Sequence, residues 1–197
     1  MKPFSEACEE NKQPILMVLE RLFADVLKVL EVGSGTGQHG VYFAGALPHL
    51  IWQTSDLPEH HDGIRAWLLE ATLPNLKAPI ALDVGGVWPD RSFDAVFSAN
   101  TTHIMSWPQV EQMFGGIGRV LESGGCFALY GPFNFGGNYT SDSNERFDQW
   151  LKERDPASGI RNFEDLDSLA RSNGLIFVED IPMPANNRVL VWRRNQT

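Results

Sequence analysis

Apolar residues at positions 15, 16, 19, 22, 23 and 26 recur at the spacing of one helix face, and Ser5 stands where a cap belongs. Residues 5–27 therefore read as an N-terminal helix. The pattern then tightens. Val26-Leu27-Lys28-Val29-Leu30-Glu31-Val32 is a short β-rich run stopped by glycines, and similar runs occupy residues 50–55, 79–84, 93–98 and 126–130. Helical patterns beginning near Gly40, at His60 and at Pro108 lie between them. Such alternation predicts βαβ units and a parallel sheet. After residue 130 the rhythm breaks. Residues 131–161 are rich in Gly, Asn, Ser and aromatics, with one helix expected from Ser143 to Arg154. A helix at 162–173 and strands at 175–180 and 188–192 complete the pattern, and the linker between those strands, residues 182–187, is short enough for a hairpin. The expectation is one α/β domain over residues 1–197. It has a seven-stranded, mostly parallel sheet, an antiparallel last strand, and helices on both faces.

Composition narrows the function more than the fold. Hydrophobic residues make up 43% of the chain and charged residues 21%, an ordinary globular balance. The 25 acidic and 16 basic residues give a net charge of −9, and the basic residues are scattered. A protein that grips phosphates shows a basic stripe, so no nucleic-acid partner is expected. Cys8 and Cys126 lie far apart and fit no zinc or redox spacing. His60 and His61 are adjacent, and neighbours on a helix point about 100° apart, so no metal site is expected. The first residues lead into Glu6 rather than an apolar leader, and no apolar run nears the roughly 20 residues of a membrane span. A cytoplasmic protein with no membrane partner, monomeric or homodimeric, is the expectation.

The informative stretch is Glu31-Val32-Gly33-Ser34-Gly35-Thr36-Gly37-Gln38-His39-Gly40. Glycines there let the backbone turn off a strand and approach a ligand, and the amides of the next helix face it with partial positive charge. Gly35, Gly37 and Gly40 satisfy the dinucleotide pattern GxGxxG, which alone is weak and here begins three residues beyond the strand. An NAD-dependent oxidoreductase is the reading that pattern supports, and it gives Glu31 no task.

Glu31-x-Gly33-x-Gly35-x-Gly37 resembles instead the first motif of the class I S-adenosylmethionine-dependent methyltransferases. That resemblance implies that Glu31 faces the ligand's amino group and that Gly33, Ser34, Gly35, Thr36 and Gly37 cradle it. It implies further that Asp56, ending the second strand, accepts from ribose hydroxyls, and that Asp83 and the Val84 amide meet the adenine edge. Asn11 and Lys12 of the first helix, and Asn100, are placed with this cofactor set. Residues 33–58, Asn100–Trp107, Tyr130–Phe133 and Met183–Asn187 together look like the methyltransferase-like 26 type family, whose substrate is unassigned. The implied fold is the Rossmann-like class I methyltransferase fold, with S-adenosylmethionine as cofactor and S-adenosylhomocysteine as product.

Methyl transfer needs the acceptor atom held in line with the leaving sulfur, and a base only if the acceptor carries a proton. Ligands of open parallel sheets sit beyond the carboxyl ends of the strands. His103 is the candidate base, being the side chain whose ordinary pKa lies nearest neutrality, with Tyr130 and Tyr139 as further reacting groups. A capping or half-buried structural role is the alternative for His103. Trp107 either starts the next helix or walls the pocket. Asn134, Asn144, Asn186 and Asn187 are candidate acceptor contacts. Arg154 and Arg161 either clamp an acidic substrate group or pair with Asp148, Asp155 or Glu164. The long 131–161 segment reads as a lid-like insertion. The acceptor is expected to be a small molecule. A protein that only holds S-adenosylmethionine or its product, without turnover, is the non-enzymatic alternative.

Overall fold

A computed structural model describes residues 2–196. The helices are α1 (Glu6–Leu22), α2 (Gln38–Ala46), α3 (His61–Ala71), α4 (Trp107–Val120), α5 (Asp142–Arg154) and α6 (Phe163–Ser172). The strands are β1 (Lys28–Val32), β2 (Ile51–Asp56), β3 (Leu76–Ala81), β4 (Phe93–Ala99), β5 (Leu121–Gly131), β6 (Phe133–Asn134), β7 (Arg161–Asn162), β8 (Leu175–Met183) and β9 (Asn187–Arg194). Seven strands form one sheet in the order β3-β2-β1-β4-β5-β9-β8. Every pairing among β1 to β5 is parallel, and β9 runs antiparallel to both β5 and β8. This is the α/β, Rossmann-like sheet expected from the sequence.

Alternation along the strands builds two cores. Leu30, Val96, Phe127, Leu129, Leu190 and Trp192 point to one face, under α4 and α6. Val29, Ala95, Phe97, Cys126, Ala128 and Val191 point to the other, under α1 and α2. Burial on both faces makes these strands almost wholly apolar, as parallel strands must be.

Several boundaries differ from the sequence reading: α1 ends at Leu22 rather than at residue 27, and β8 runs on to Met183 rather than stopping at 180. β3 begins at Leu76 and ends at Ala81, not at residues 79–84. It is an edge strand, so Pro79, which lacks an N–H, sits inside it at no cost in ladder bonds. Asp83 and Val84 consequently fall in the turn after the strand. β5 begins at Leu121, and its pairing with β4 jumps from Phe93–Leu121 to Ala95–Cys126. The Gly124-Gly125 pair that reads as a break lies in that irregularity. Finally, the 131–161 insertion is closed at its base by β6 and β7, paired in parallel through Phe133–Arg161 and Asn134–Asn162. Two residues per strand are too few to leave a periodic signal.

Candidate functional site

β1 and β4 are neighbours from which the chain departs in opposite directions across the sheet, the place where open α/β sheets form a crevice. At that point β1 turns through residues 33–37 into α2. Gly35 has φ 56°, and a Cβ there would meet nothing within 4 Å, so the turn presents bare backbone to open space. Its N–H donates to Asp56 Oδ2 at 2.6 Å, while Leu57 N–H donates to Oδ1 at 2.7 Å. The carboxylate at the end of β2 is thereby fixed beside the glycine turn. Across the crevice, Asp83 Oδ1 accepts from Gly85 N–H at 3.0 Å, which holds the turn after β3.

These groups line a cavity of about 1000 Å³. Of the cofactor set, Asn11, Gly33, Ser34, Gly35, Thr36, Asp56, Asp83, Val84 and Asn100 line it. So do His103, Tyr130, Asn144, Asn186 and Asn187. One wall is α1, which the amide side chain of Gln38 ties down. Gln38 accepts from Ser5 N–H at 2.6 Å and donates to Glu9 at 2.8 Å. Opposite it, α5 is latched to the β8–β9 turn. Asn144 Nδ2 donates to the Asn186 carbonyl at 3.2 Å, and Asn186 Nδ2 donates to Ser143 Oγ at 3.2 Å.

The remaining candidates are not among the residues lining the cavity, and all but Asn134 have an observable occupation. Lys12 bonds to Glu9 and lies over the Tyr42 ring. It follows Asn11 on a helix, so it points about 100° away from it. Gly37 packs against α3, where a Cβ would come within 3.1 Å of the Ile64 backbone. Trp107 is the first residue of α4 and packs on the core, so its helix-starting alternative is the one observed. Asn134 is buried in β6 with its Oδ1 unbonded. Tyr139 donates its hydroxyl to Asp148 at 2.7 Å. Arg154 lies 4.6 Å above the Trp150 ring. Arg161 donates to the carbonyls of Thr102, Met105 and Ala157, and so braces the loop that carries His103. Lys152, not an arginine, pairs with Asp148, at 2.6 Å.

Glu31 also differs from expectation. It lies behind the glycine turn, 2% exposed, accepting from Ser34 Oγ at 2.8 Å and from Trp52 Nε1 at 3.0 Å. A Cβ at Gly40 would approach its Oε2 to 2.9 Å, so that glycine serves the packing of α2 on the sheet. Burial pushes the Glu31 carboxyl up to about 7, against the pull of the two donors. His39 and His103 move the other way: burial depresses both to about 4. Folding therefore favours the acid form of Glu31, a contribution complete below about 4.5 and lost as pH rises through 7, on the order of 3 kcal/mol. The histidines contribute above 6.5 and lose that contribution as pH falls towards 4. The two slopes oppose each other. Glu31→Gln is expected to remove one of them, so that the variant loses stability faster than the parent on acidification from about pH 6.5 to 4.5. Denaturant midpoints across that range measure this, and parallel curves would contradict the protonation assigned to Glu31.

On the acceptor side His103 is 6% exposed, meets Phe147 edge to face at 5.3 Å, and makes no side-chain hydrogen bond among the described residues. Its Nδ1 is buried without a partner. Tyr130 is pushed up to about 12, chiefly by burial, so its phenol remains a donor. Sequence reasoning missed Ile104, Met105, Phe147, Trp150 and Leu151, all of which line the cavity. The spacing Phe147, Trp150, Leu151 along α5 was the available signal, an apolar stripe on an otherwise polar helix. No helix among the described residues is long and apolar enough to cross a membrane. Those residues also contain no metal-holding cluster of His, Cys, Asp and Glu.

Known proteins share this architecture. An O-methyltransferase family protein from Burkholderia thailandensis superposes with a TM-score of 0.83 at 16% identity, over 94% of this chain and 56% of that one. Human N-acetylserotonin methyltransferase, solved in complex with S-adenosylmethionine, gives 0.80 at 13% identity, over 97% and 53%. In sequence, a fatty-acid O-methyltransferase of Mycolicibacterium smegmatis is 30% identical over 128 residues, which is 64% of this chain and 45% of the relative. The chain thus spans about half the length of the proteins it matches. The narrower methyltransferase-like 26 affiliation is not confirmed by the family match, whose description carries no activity. That match extends over residues 2–194, and the chain belongs to the family described as protein of unknown function (DUF938).

Proposed function

We propose that this chain is an S-adenosylmethionine-dependent methyltransferase of a small molecule, of the methyltransferase-like 26 type, with residues 131–161 serving as the lid over its acceptor. The observation that carries the reading is one cavity lined by the bare Gly35 turn, by Asp56 and by the buried His103 imidazole. The residues present fit the cofactor. The open space at Gly35 admits a ligand against the backbone, and the Asp56 carboxylate has acceptor sites left for ribose hydroxyls after its two amide bonds. Asp83 and Val84 line the same cavity, and the reading gives them the adenine edge. When bound, the cofactor supplies an electrophilic methyl carbon whose bond to sulfur breaks with its electron pair, leaving S-adenosylhomocysteine.

The protein's part is positional. α1 and α5 wall the site against water, and the Asn144–Asn186 latch fixes α5 over it. His103, neutral at physiological pH, takes the proton that the acceptor heteroatom loses as it is alkylated. Arg161 keeps the His103 loop in place through the carbonyls of Thr102 and Met105.

Calorimetric titration with S-adenosylhomocysteine, with NAD in parallel, tests the cofactor, and transfer of labelled methyl into a metabolite pool tests the reaction. Micromolar binding of the first ligand alone is expected, followed by transfer. Binding without transfer would leave a cofactor-holding protein, and binding of NAD would overturn the reading. Asp56→Ala is expected to weaken S-adenosylhomocysteine by about 10–100-fold through loss of charge-assisted hydrogen bonds. Unchanged affinity would show that the ribose lies elsewhere.

A further inference from the structure

We propose that the acceptor is an uncharged aromatic molecule bearing an O–H, N–H or S–H group, and not a carboxylate or phosphate. The inference rests on the methyltransferase reading and specifies its second substrate. Its basis is the charge and shape of the acceptor end of the cavity.

The side chains there are His103, Ile104, Met105, Phe147, Trp150 and Leu151. Ile104 is 58% and Trp150 47% exposed, large apolar groups left uncovered at the mouth, where they would gain by contact with an apolar ligand. Phe147 stacks on Trp150 with ring centroids 5.8 Å apart and planes 18° from parallel, and the His103 ring abuts it edge-on. Flat rings at fixed angles favour another flat ring, because offset-stacked and edge-to-face pairs add to simple burial.

Charge decides against anions. Among the described residues lining the cavity, the carboxylates are Glu10, Asp56 and Asp83, and there is neither a lysine nor an arginine. Of the cations nearby, Arg161 is committed to three carbonyls, Lys152 to Asp148 and Arg154 to the Trp150 ring, and Arg146 of α5 is not among the lining residues. His39 and His103 are held neutral by burial and supply no positive charge, and His60, which also lines the cavity, stands beside Asp56 with its Nε2 3.9 Å from Oδ1. A carboxylate brought against Phe147 and Leu151 would lose its water and find no cationic side chain to pair with, which is the costly form of burial. A neutral O–H or N–H meets instead the neutral His103 imidazole, which lines the cavity and can accept a hydrogen bond.

The test is calorimetric, on the full chain saturated with S-adenosylhomocysteine, with 2-naphthol and 2-naphthoate as matched probes. At about pH 8 the first is neutral and the second ionised. Naphthol is expected to bind at least ~10-fold more tightly, and dodecanoate no better than naphthoate. Equal or tighter binding of naphthoate or dodecanoate would overturn the proposal, as would absence of naphthol binding. Failure of S-adenosylhomocysteine itself to bind would bring down the cofactor reading beneath it, and is seen before any probe is added. Ile104→Arg places a cation at the mouth, and Trp150→Arg is a second placement on α5. Either is expected to shift the naphthoate-to-naphthol preference by at least ~10-fold towards the carboxylate. An unmoved preference in both variants would place the acceptor elsewhere and refute the assignment.

Discussion

Replacing His103 with glutamine is expected to lower methyl transfer by about 10²–10⁴-fold, the usual contribution of a positioned proton acceptor. S-adenosylhomocysteine affinity should stay within about twofold, since the loss concerns the reaction and not ground-state binding. The loop survives the change because its anchors do not involve the ring. Gly159 N–H donates to the His103 carbonyl at 2.9 Å, and Arg161 grips the carbonyls of Thr102 and Met105. The imidazole stays neutral down to about pH 4, so this group should leave the rate level across the neutral range. A rate that breaks near 6.5, the ordinary histidine value, would show the ring to be more hydrated than its surroundings imply. Full activity in the glutamine variant would show that the acceptor loses its proton by another route, or has none to lose.

Gly116→Ala is expected to cost about 3 kcal/mol of stability or more, and to lower the melting temperature by roughly 6–12 °C. A Cβ at Gly116 would sit 1.8 Å from Trp88 Cε2 and 2.2 Å from Cζ2, deep inside contact distance. The indole cannot step aside cheaply. It is 7% exposed, and its Nε1 donates to the Val84 carbonyl at 3.0 Å. Displacing it disturbs the 83–88 turn, so cofactor affinity should fall together with stability. The neighbouring Gly115→Ala is the control. Its Cβ would meet only Asn173 Oδ1 at 3.5 Å and Arg119 Nη1 at 3.7 Å, ordinary contacts. The gain in helix propensity, about 0.5–1 kcal/mol, should leave that variant neutral or slightly more stable. Equal melting temperatures for the two variants would refute the packing account of Trp88 against α4.

The sheet was legible because its strands are buried on both faces. Runs such as Val29–Val32 and Phe93–Ser98 carry little besides apolar residues, and the breaks between them carry glycine and proline. The position of Asp56 was legible as the first charged residue after the β-rich run of residues 50–55. What buries a run on both sides also hides the direction of any charge within it. Glu31 shares a face with Val29, and nothing in its sequence neighbourhood says that Trp52 and Ser34 will claim it. The acceptor side was less legible, since its residues are assembled from the loop after β4, from α5 and from the β8–β9 turn. Tyr139 and Arg161 look like pocket chemistry in a Gly- and Asn-rich segment. Both instead secure the insertion, one through Asp148 and the other through backbone carbonyls. Partners of that kind depend on a tertiary fold that no local pattern encodes.

The insertion of β9 between β5 and β8 has a consequence for how the molecule is made. Five strands, β3-β2-β1-β4-β5, join through local crossovers and can assemble as the chain leaves the ribosome. The outer edge of β5 then waits for residues 187–194, whose pairings, such as Cys126 with Arg193, reach far back along the sequence. Until they arrive, a buried-type segment running from Cys126 to Gly131 has an open row of amides and carbonyls, a template for any other extended chain. The hazard of aggregation during synthesis is therefore concentrated at one edge and ends at one moment, when the hairpin closes.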